Sequence, residues 1–250
     1  MTETWIIKIS GHQLDDEAFL QDFASTIAQL PHRVVLIHGG GKEISQLQGR
    51  LGLEPHFADG IRVTDAESLS LVEMVLCGLV NKRLVRLLVE QGTGAIGLSG
   101  VDMGLIEAEK LAHPTIDMMF TGQIKAVNVE PLQGLLQSGL LPVIAPICYG
   151  QDHNYNVNAD HVTGALAAAL GADRAFFISN VPGVMADGAV IDQLTPQQTE
   201  QLITDDVIVG GMIPKVRTAL EVLNEGVGRV IITDLNGLQN QTGTTFLEGK

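Results

Sequence analysis

The amino-acid sequence predicts an α/β protein in which an open, mainly parallel central sheet is sandwiched by helices. Two patterns indicate this fold. Short β-branched runs alternate with longer amphipathic stretches, and residues 33–37 form a near-continuous apolar run, as expected for a strand covered on both faces. The chain has 250 residues, 45% of them hydrophobic, which is enough to bury a substantial core. We expect two lobes, residues 1–172 and 173–250.

The first half of the chain begins with a strand over residues 5–9 and a helix over 15–30, in which apolar side chains recur at helical spacing. The strand at 33–37 leads into a helix over 42–51. A long helical region is predicted over 64–91. Thr64 or Asp65 could cap it, and Glu67 is spaced to form a capping box with Thr64.

The second half continues the same alternation. Gly104, Pro114 and Gly122 interrupt short alternating runs, which predicts an antiparallel ribbon within residues 104–129. The remaining predicted strands are 95–99, 141–146, 174–179, 229–233 and an edge strand at 244–247, and the remaining helices are 162–170, 196–203 and 211–224.

Composition excludes several classes of protein. With 15 basic and 29 acidic residues the formal net charge is −14, which argues against a nucleic-acid or anionic-membrane surface. No apolar run approaches the roughly 18–20 residues of a membrane helix, and no basic segment marks a secretory signal. Cys77 and Cys148 make no disulfide framework and are expected to be inert core residues. We therefore expect a cytoplasmic protein.

A glycine-rich turn follows the second predicted strand. His38 is followed by three glycines, Gly39 to Gly41, and a helix then begins. Glycines let the backbone approach an anion, and a helix N-terminus presents free N–H groups, so this turn is a candidate anion site. A tight turn without a ligand is the alternative. The spacing matches neither a Walker A loop nor the dinucleotide pattern. His38 could act as a base, but a structural hydrogen bond under the loop is favoured.

Two lysines occupy unusual positions. Lys8 lies in an apolar strand just before Gly11, although burying an unpaired ammonium is costly. Lys215 lies in the first turn or so of a helix, where it opposes the macrodipole. Both placements favour a nearby polyanion. For Lys8 the alternative is a side chain that extends to the surface.

Three polar residues precede the Ala-rich helix: Asn156, Asn158 and Asp160. One of them could be the N-cap, and Asp160 could hold a cation or position a lysine.

Arg62 could bind a carboxylate in bidentate fashion, the alternative being a solvated surface arginine. No Cys or His cluster has zinc spacing, so no protein metal site is expected. From these residues the function favoured is phosphoryl transfer by a cytoplasmic enzyme.

Taken together and in order, the motifs resemble the amino-acid kinase superfamily, and within it the branch that phosphorylates N-acetyl-L-glutamate in arginine biosynthesis. The segments that carry the resemblance are residues 6–11, 38–41, 60–64, 97–100, 120–122 with 127–128, 156–160 and 211–216. They span nearly the whole chain. The resemblance implies the amino-acid kinase fold, with the N-terminal lobe binding the amino-acid substrate and forming the dimer contact and the C-terminal lobe binding ATP.

The resemblance also implies roles for individual residues. Lys8 and Lys215 would stabilise the transferring phosphoryl group, and Asp160 would hold both lysines. Gly11, Gly40 and Gly41 would offer N–H groups to the phosphoryl group and the attacking carboxylate. Mg²⁺ would be carried by the ATP phosphates. Arg62, Asn156 and Asn158 would bind N-acetylglutamate, and the ATP pocket would be lined by Asn180, Val181, Pro182, Gly183, Val184, Met185, Val207, Ile208, Val209, Gly211 and Met212.

Some residues depart from the family pattern. Ser10 stands where glycine is usual, and Asn180 where an Asp is common. Asp59 replaces a frequent Asn, and Thr245 stands where basic residues are often seen. The first strand begins close to Met1, whereas arginine-inhibited members look longer there, which predicts an arginine-insensitive homodimer. The apolar face of helix 64–91 is a candidate interface, with ordinary packing within the chain as the alternative; its residues are Leu69, Val72, Leu76 and Leu79.

Two other functions stay open from the sequence. One is a sister kinase that acts on an aminoadipate attached to a carrier protein, which would need a more open and basic entry. The other is a catalytically weak, ligand-binding regulator in which Ser10 has reduced the chemistry. The retained lysine pair and Asp160 argue against the regulator.

Overall fold

A computed structural model describes residues 2–249, except for the side chain of His12. Its main sheet has eleven strands, ten of which follow the order β13-β15-β14-β10-β1-β2-β8-β9-β7-β6, with β5 also paired to β8. The strands of this sheet are β1 Thr4–Ile9, β2 Arg33–His38, β5 Ala95–Gly100, β6 Ile106–Lys110, β7 Thr121–Val127, β8 Leu141–Cys148, β9 Tyr155–Val157, β10 Arg174–Ile178, β13 Gln193–Leu194, β14 Val230–Thr233 and β15 Thr244–Phe246.

Two small hairpins lie outside the main sheet, β3 His56–Ala58 with β4 Ile61–Val63 and β11 Met185–Ala186 with β12 Ala189–Val190. The helices are α1 Glu17–Gln29, α2 Gly41–Arg50, α3 Ala66–Glu73, α4 Asn81–Glu90, α5 Glu130–Gln137, α6 Ala159–Leu170, α7 Pro196–Thr204, α8 Met212–Asn224 and α9 Leu235–Asn240. None of these helices is both long and apolar enough to cross a membrane.

The predicted fold class is confirmed. The central strands β14, β10, β1, β2 and β8 are parallel to their neighbours in that order, and helices cover both faces. Strand alternation divides the core into two layers, because successive side chains point to opposite faces. Ile6 and Ile37 pack with α6 and α8 on one face, whereas Trp5 and Ile7 pack with α1 and α4 on the other.

The two predicted lobes share this sheet. Strand β10, just after the proposed boundary, pairs directly with β1, and β1 pairs with β2. Because all three strands are parallel, their carboxyl ends meet at one edge of the sheet. The loops that follow Ile9, His38 and Ile178 are therefore neighbours, and ligands of parallel sheets bind at this edge.

The region predicted as a helix over 64–91 is helical from Ala66 to Glu90, with a π-helical segment, Met74–Val80, at its centre. Asp65 is the N-cap and accepts a hydrogen bond from the Ser68 N–H at 2.7 Å. The predicted capping box is wrong, because the Thr64 side chain is buried and bonds to Thr121 and Asn156 instead.

The candidate dimer face on this helix is wrong for three of its four residues. Leu69, Val72 and Leu76 are buried within the chain, and Val72 and Leu76 belong to the core layer against α1 and α4. Only Leu79 is exposed, at 51%. The amphipathic pattern therefore marked intrachain packing, which the sequence could not distinguish from a contact between copies.

Smaller differences concern the ends of the fold. Strand β15 lies between β13 and β14 and is not an edge strand as predicted. The antiparallel ribbon is confirmed as β6 paired with β7. Several elements were not predicted: α5, α9, β9, β13 and the two hairpins outside the main sheet. All except α5 are six residues or shorter, too short for a periodic pattern to stand out.

Candidate active site

Lys8 and Asp160 form an ion pair at the carboxyl-terminal edge of the sheet, with 2.7 Å between Lys8 Nζ and Asp160 Oδ1. Lys8 follows Ile6 by two positions in β1 and so points to the face covered by α6, where Asp160 occupies the first turn. The Lys8 side chain is only 13% exposed. A buried ammonium needs such a partner, and Asp160 supplies it.

Lys215 reaches the same cleft from the first turn of α8. Its Nζ donates to Ser179 Oγ at 2.6 Å and to Asn180 Oδ1 at 3.3 Å, both just beyond the end of β10. Among the described residues, no carboxylate lies within 4 Å of this ammonium. Burial, and secondly repulsion from Lys8, hold the pKa of Lys215 below its usual value. The predicted contact of Asp160 is therefore met for Lys8, whereas the partners of Lys215 are neutral oxygens.

The residues around these two lysines enclose a cleft. Phe177 and Ile178 of β10 and Pro214 and Thr218 of α8 line it. Other side chains lining the cleft are Ser10, Ser179 and Ile232. With Lys8, Lys215 and Asp160 as its charged groups, the cleft carries an excess of one positive charge. That suits an anionic ligand.

Two glycine turns meet beside this cleft. A Cβ at Gly11 would lie 3.3 Å from the Gly40 nitrogen and 3.4 Å from the Gly41 nitrogen, so the turns after β1 and β2 approach closely. Gly41 begins α2, and its backbone N–H is one of the free donors of the helix N-terminus. The two turns predicted to bind phosphate therefore lie side by side, although they are distant in sequence.

His38 lies beneath the glycine turn and is fully buried. Its Nδ1 donates to the Gly39 carbonyl at 2.8 Å, and its Nε2 accepts from Asn81 Nδ2 at 3.2 Å. Asn81 also donates to the Val143 carbonyl at 2.8 Å. Burial lowers the pKa of His38 to about 4, so the ring is neutral near pH 7. The structural role favoured for His38 is confirmed.

Arg62 lies on β4 with its guanidinium turned into the protein, and the residue is only 8% exposed. Nη1 donates to Gln48 Oε1 at 2.5 Å, and Nη2 donates to Ser45 Oγ at 2.8 Å and to the Gly41 carbonyl at 3.2 Å. The group also lies 4.8 Å from the centroid of the Phe57 ring. Within residues 2–249 no carboxylate pairs with it. The alternative of a solvated surface arginine is therefore excluded.

The two asparagines before α6 differ in role. Asn158 is the N-cap, and its Oδ1 accepts from the Asp160 N–H at 2.9 Å. Asn156 donates from Nδ2 to Thr64 Oγ1 at 3.0 Å, which ties β9 to the residue after β4. The Thr64 hydroxyl also receives a hydrogen bond from Thr121 Oγ1 at 3.2 Å. Asn158 is thus next to Asp160, whereas Asn156 is bonded close to the hairpin that carries Arg62.

The residues predicted to line an ATP pocket fall into two groups. Val184 and Ile208 are buried in the core, and their backbone N–H groups donate to Thr244 Oγ1 and to the Leu202 carbonyl, so neither side chain is exposed to a ligand. Exposed or partly exposed positions are Asn180, Val181, Pro182, Met185, Val207, Val209, Gly211 and Met212. Gly183 is buried, and a Cβ there would lie 2.7 Å from Thr244 Oγ1. The turn at 180–184 thus packs against β15.

Sequence reasoning missed three polar residues that support the site. Ser179 holds Lys215, Gln48 holds Arg62, and Asn81 holds His38. Each is buried, and two of them, Gln48 and Asn81, lie on helices. A polar residue on the otherwise apolar face of a helix is the signal that could have indicated Gln48 and Asn81.

The two cysteines take no part in this network. Cys148 is buried and Cys77 is partly buried. Burial raises the pKa of the Cys77 thiol to about 11 and also raises that of Cys148. Both thiols are therefore protonated near pH 7, as expected for inert residues.

Comparison with known proteins identifies the family of this chain. Residues 3–234 match the amino acid kinase family. The chain is 51% identical to an acetylglutamate kinase of Roseiflexus sp. (strain RS-1), covering 98% of this chain and 93% of that one. It is 46% identical to that of Chloroflexus aurantiacus (strain ATCC 29366 / DSM 635 / J-10-fl), covering 100% and 99%.

Solved structures share the fold. A protein from Streptococcus mutans UA159 superposes with a TM-score of 0.81 at 29% identity, covering 100% of both chains. Carbamate kinase from Giardia lamblia bound to citric acid superposes with a TM-score of 0.70 at 14% identity, covering 99% of both chains, and shows the fold alone. The family match, the identities over nearly the full length and the shared fold agree, and the chain belongs to the amino acid kinase family.

Proposed function

We propose that this protein transfers the terminal phosphoryl group of ATP to the side-chain carboxylate of N-acetyl-L-glutamate, giving an acyl phosphate and ADP in arginine biosynthesis. The observation that carries the proposal is the set of relatives 43–51% identical over nearly the full chain that bear the name acetylglutamate kinase. The function predicted from the sequence agrees with these names.

The site geometry supports phosphoryl transfer. In the reaction an oxygen of the substrate carboxylate forms a bond to the terminal phosphorus, and the bond to the bridging oxygen breaks with its electrons leaving on ADP. Lys8 and Lys215 line the cleft in which this charge would move, and the turns at Gly11 and Gly40 supply backbone donors. Catalysis of this kind depends on positioning and charge neutralisation. No general base is needed, because a carboxylate is already ionised at neutral pH.

Arg62 supports an acidic substrate. A buried guanidinium without a carboxylate among its described partners has unused capacity for an anion, and its Nη2 bonds to the Gly41 carbonyl at the turn predicted to bind phosphate. We assign Arg62 the α-carboxylate of N-acetylglutamate, with Asn156 and Asn158 nearby for the acetamido group. Arginine is suited to this task because its planar fork matches a carboxylate.

ATP would occupy the C-terminal lobe, in contact with segments 180–185 and 207–212. It would arrive with Mg²⁺, which neutralises phosphate charge when bound. Within residues 2–249 no group of three or more His, Cys, Asp and Glu side chains could hold a metal. We propose that the ATP phosphates and water hold the ion, as its reluctance to dehydrate favours.

We further propose an arginine-insensitive homodimer that works in the cytoplasm, where ATP is supplied. Met74 and Leu79 on the π-helical segment expose 59% and 51% of their surface, and burying them against a second copy would stabilise a dimer. Light scattering of the wild-type protein and of Leu79→Glu tests this assembly. A monomeric wild-type protein would contradict it.

A coupled assay of ADP release tests the reaction. N-acetyl-L-glutamate is expected to support turnover, whereas glutamate and a carrier-linked aminoadipate are not. Turnover on the aminoadipate would favour the sister kinase, and binding of ATP without any ADP release would favour a regulator. No observation on the fold or the site favours either of them.

A further inference from the structure

Ser179 lies where β10 ends and is the nearest partner of Lys215. Its hydroxyl oxygen accepts from Lys215 Nζ at 2.6 Å, whereas Asn180 Oδ1 is 3.3 Å from the same nitrogen. Ser179 is only 5% exposed, so water does not readily replace it. The strongest contact of the second lysine is therefore a buried, neutral hydroxyl.

The backbone of Ser179 is held from both sides. Its N–H donates to the Thr233 carbonyl of β14 at 2.7 Å, and its carbonyl accepts from Gln13 Nε2 at 3.3 Å. The preceding carbonyl, of Ile178, accepts from Ser10 Oγ at 3.0 Å. Ser10 thus joins the end of β1 to the end of β10 with its side chain. These bonds fix Ser179 relative to the strand that carries Lys8.

We propose that Ser179 is a positioning residue for Lys215, holding its ammonium over the cleft without neutralising it. The proposal rests on the function proposed above. The two lysines have different supports: Lys8 is paired with Asp160, whereas Lys215 is held by neutral oxygens that leave its charge for the transferring phosphoryl group.

A carboxylate in place of Ser179 would also accept a hydrogen bond from Lys215 but would offset its positive charge. The hydroxyl orients the ammonium through one accepted hydrogen bond and leaves its other two N–H groups for Asn180 and a ligand. Ser10 acts one step further away, because its bond to the Ile178 carbonyl sets the position from which Ser179 extends.

The first test compares Ser179→Ala with Ser179→Thr. Removing the acceptor is expected to lower kcat about ten- to a hundredfold with little change in either KM, as for a lost hydrogen bond to a charged group. The threonine variant keeps the hydroxyl and is expected to recover most of the activity. Thr199→Val, which removes a buried hydroxyl of α7, is the matched control. A wild-type kcat in Ser179→Ala would overturn the proposal.

The second test is the pH profile of kcat. The charged groups facing Lys215 in the cleft are Lys8 of β1 and Asp160 of α6. An accepting oxygen favours the charged ammonium, so Ser179→Ala should lower the pKa of Lys215 further and move the alkaline limb of the profile to lower pH. An unmoved limb, with reduced kcat, would indicate a structural role only and would contradict the proposal.

The third test places Ser179→Ala in a Lys215→Ala background. If Ser179 acts through Lys215, the second substitution adds little, and fully additive losses would contradict the proposal. Thermal melting of every variant checks its folding, and Ser179→Cys replaces any variant that does not fold. A wild-type protein that releases no ADP with N-acetylglutamate would refute the proposed function itself, whereas active wild type with unaffected Ser179→Ala would refute only this inference.

Discussion

The charge of the cleft is set by single residues. Lys8 is compensated by Asp160 at 2.7 Å, and Lys215 is held by neutral oxygens. The two ammonium groups are close enough for Lys8 to depress the pKa of Lys215. A terminal phosphate between the two ammonium groups would be stabilised by both positive charges. When the phosphate leaves, the two ammonium groups would again repel each other.

Replacement of either lysine by alanine is expected to reduce kcat by about a hundredfold or more, because in the proposed reaction each ammonium group would stabilise the transferring phosphoryl group. Lys110→Ala is the control, since that lysine is exposed and paired with Asp117 at 3.0 Å. Steady-state measurement of ADP release gives kcat for each variant and so tests this prediction. Near-normal kcat in both site variants would refute the assignment.

Arg62→Lys is expected to raise KM for N-acetylglutamate about tenfold or more and to leave KM for ATP unchanged, because lysine lacks the planar fork of donors. The comparison variant is Arg217→Lys on the exposed side of α8, 3.9 Å from Glu200. An equal rise in both KM values would place Arg62 outside the amino-acid site.

His38 makes the fold sensitive to acid. Its pKa is about 4 in the folded protein against 6.5 ordinarily, so between these values the unfolded chain binds the extra proton. The free energy of unfolding therefore falls as pH drops from 6.5 to 4, by about 3 kcal/mol from this residue. Protonation would also place two donors, His38 Nε2 and Asn81 Nδ2, face to face.

Denaturant unfolding of wild type and His38→Gln at several pH values checks this. The variant is expected to be less stable at pH 7 but to lose less stability towards pH 4. Parallel curves for the two proteins would show that His38 does not carry the acid sensitivity.

At the scale of elements, the position of the turn proposed to bind phosphate depends on how its glycines pack against the π-helical segment. A Cβ at Gly40 would lie 2.6 Å from Leu76 Cδ2 and 3.4 Å from Val80 Cγ2. Both side chains are buried, so neither can move away without loss of packing. The irregular helix thus brings Leu76 close under the turn, and only glycine leaves room.

Gly40→Ala is therefore expected to lower both kcat and the melting temperature, since the turn must shift away from Leu76. Gly49→Ala is a matched control in the same helix, because a Cβ there meets no atom within 4 Å. It is expected to stabilise α2 by about 0.5–1 kcal/mol. Equal activity in the two variants would show that the close contact does not matter.

At the scale of the whole molecule, the two predicted lobes share one sheet, in which β1 pairs with β2 on one side and β10 on the other. Trp5, the single tryptophan, lies in this strand, is fully buried and stacks on His32 with 4.0 Å between ring centroids. Unfolding of residues 173–250 alone would expose the edge of β1 that pairs with β10, and unfolding of residues 1–172 alone would expose the edge of β10.

We expect one cooperative unfolding transition. Fluorescence of Trp5 and far-ultraviolet circular dichroism should give the same denaturant midpoint at a fixed protein concentration. Urea titration measured by both probes, with a second protein concentration as the control for dimer dissociation, tests this. Separate midpoints at both concentrations would show that the lobes unfold independently.

Local sequence patterns predicted many of the strands and helices of this protein, and also its family. Apolar runs placed β1, β2, β8 and β10, helical periodicity placed α1 and α8, and the ordered glycine and lysine motifs indicated the family. These features are readable because they depend on neighbouring residues, through the period of a strand or helix and the conformational freedom of glycine.

Tertiary structure alone decided which polar atoms meet. Ser179 and Lys215, Gln48 and Arg62, and His38 and Asn81 are paired across 36, 14 and 43 positions of sequence, and nothing local requires these contacts. Local sequence likewise does not determine that the helix face of Leu69, Val72 and Leu76 is buried within the chain, because this depends on which elements pack against that face. Sequence by itself determined the fold class and the motifs. The partners of Lys8 and Lys215 depended on the parallel sheet, which brings the ends of distant strands to one edge, and those of Arg62 depended on the packing of the β3–β4 hairpin against α2.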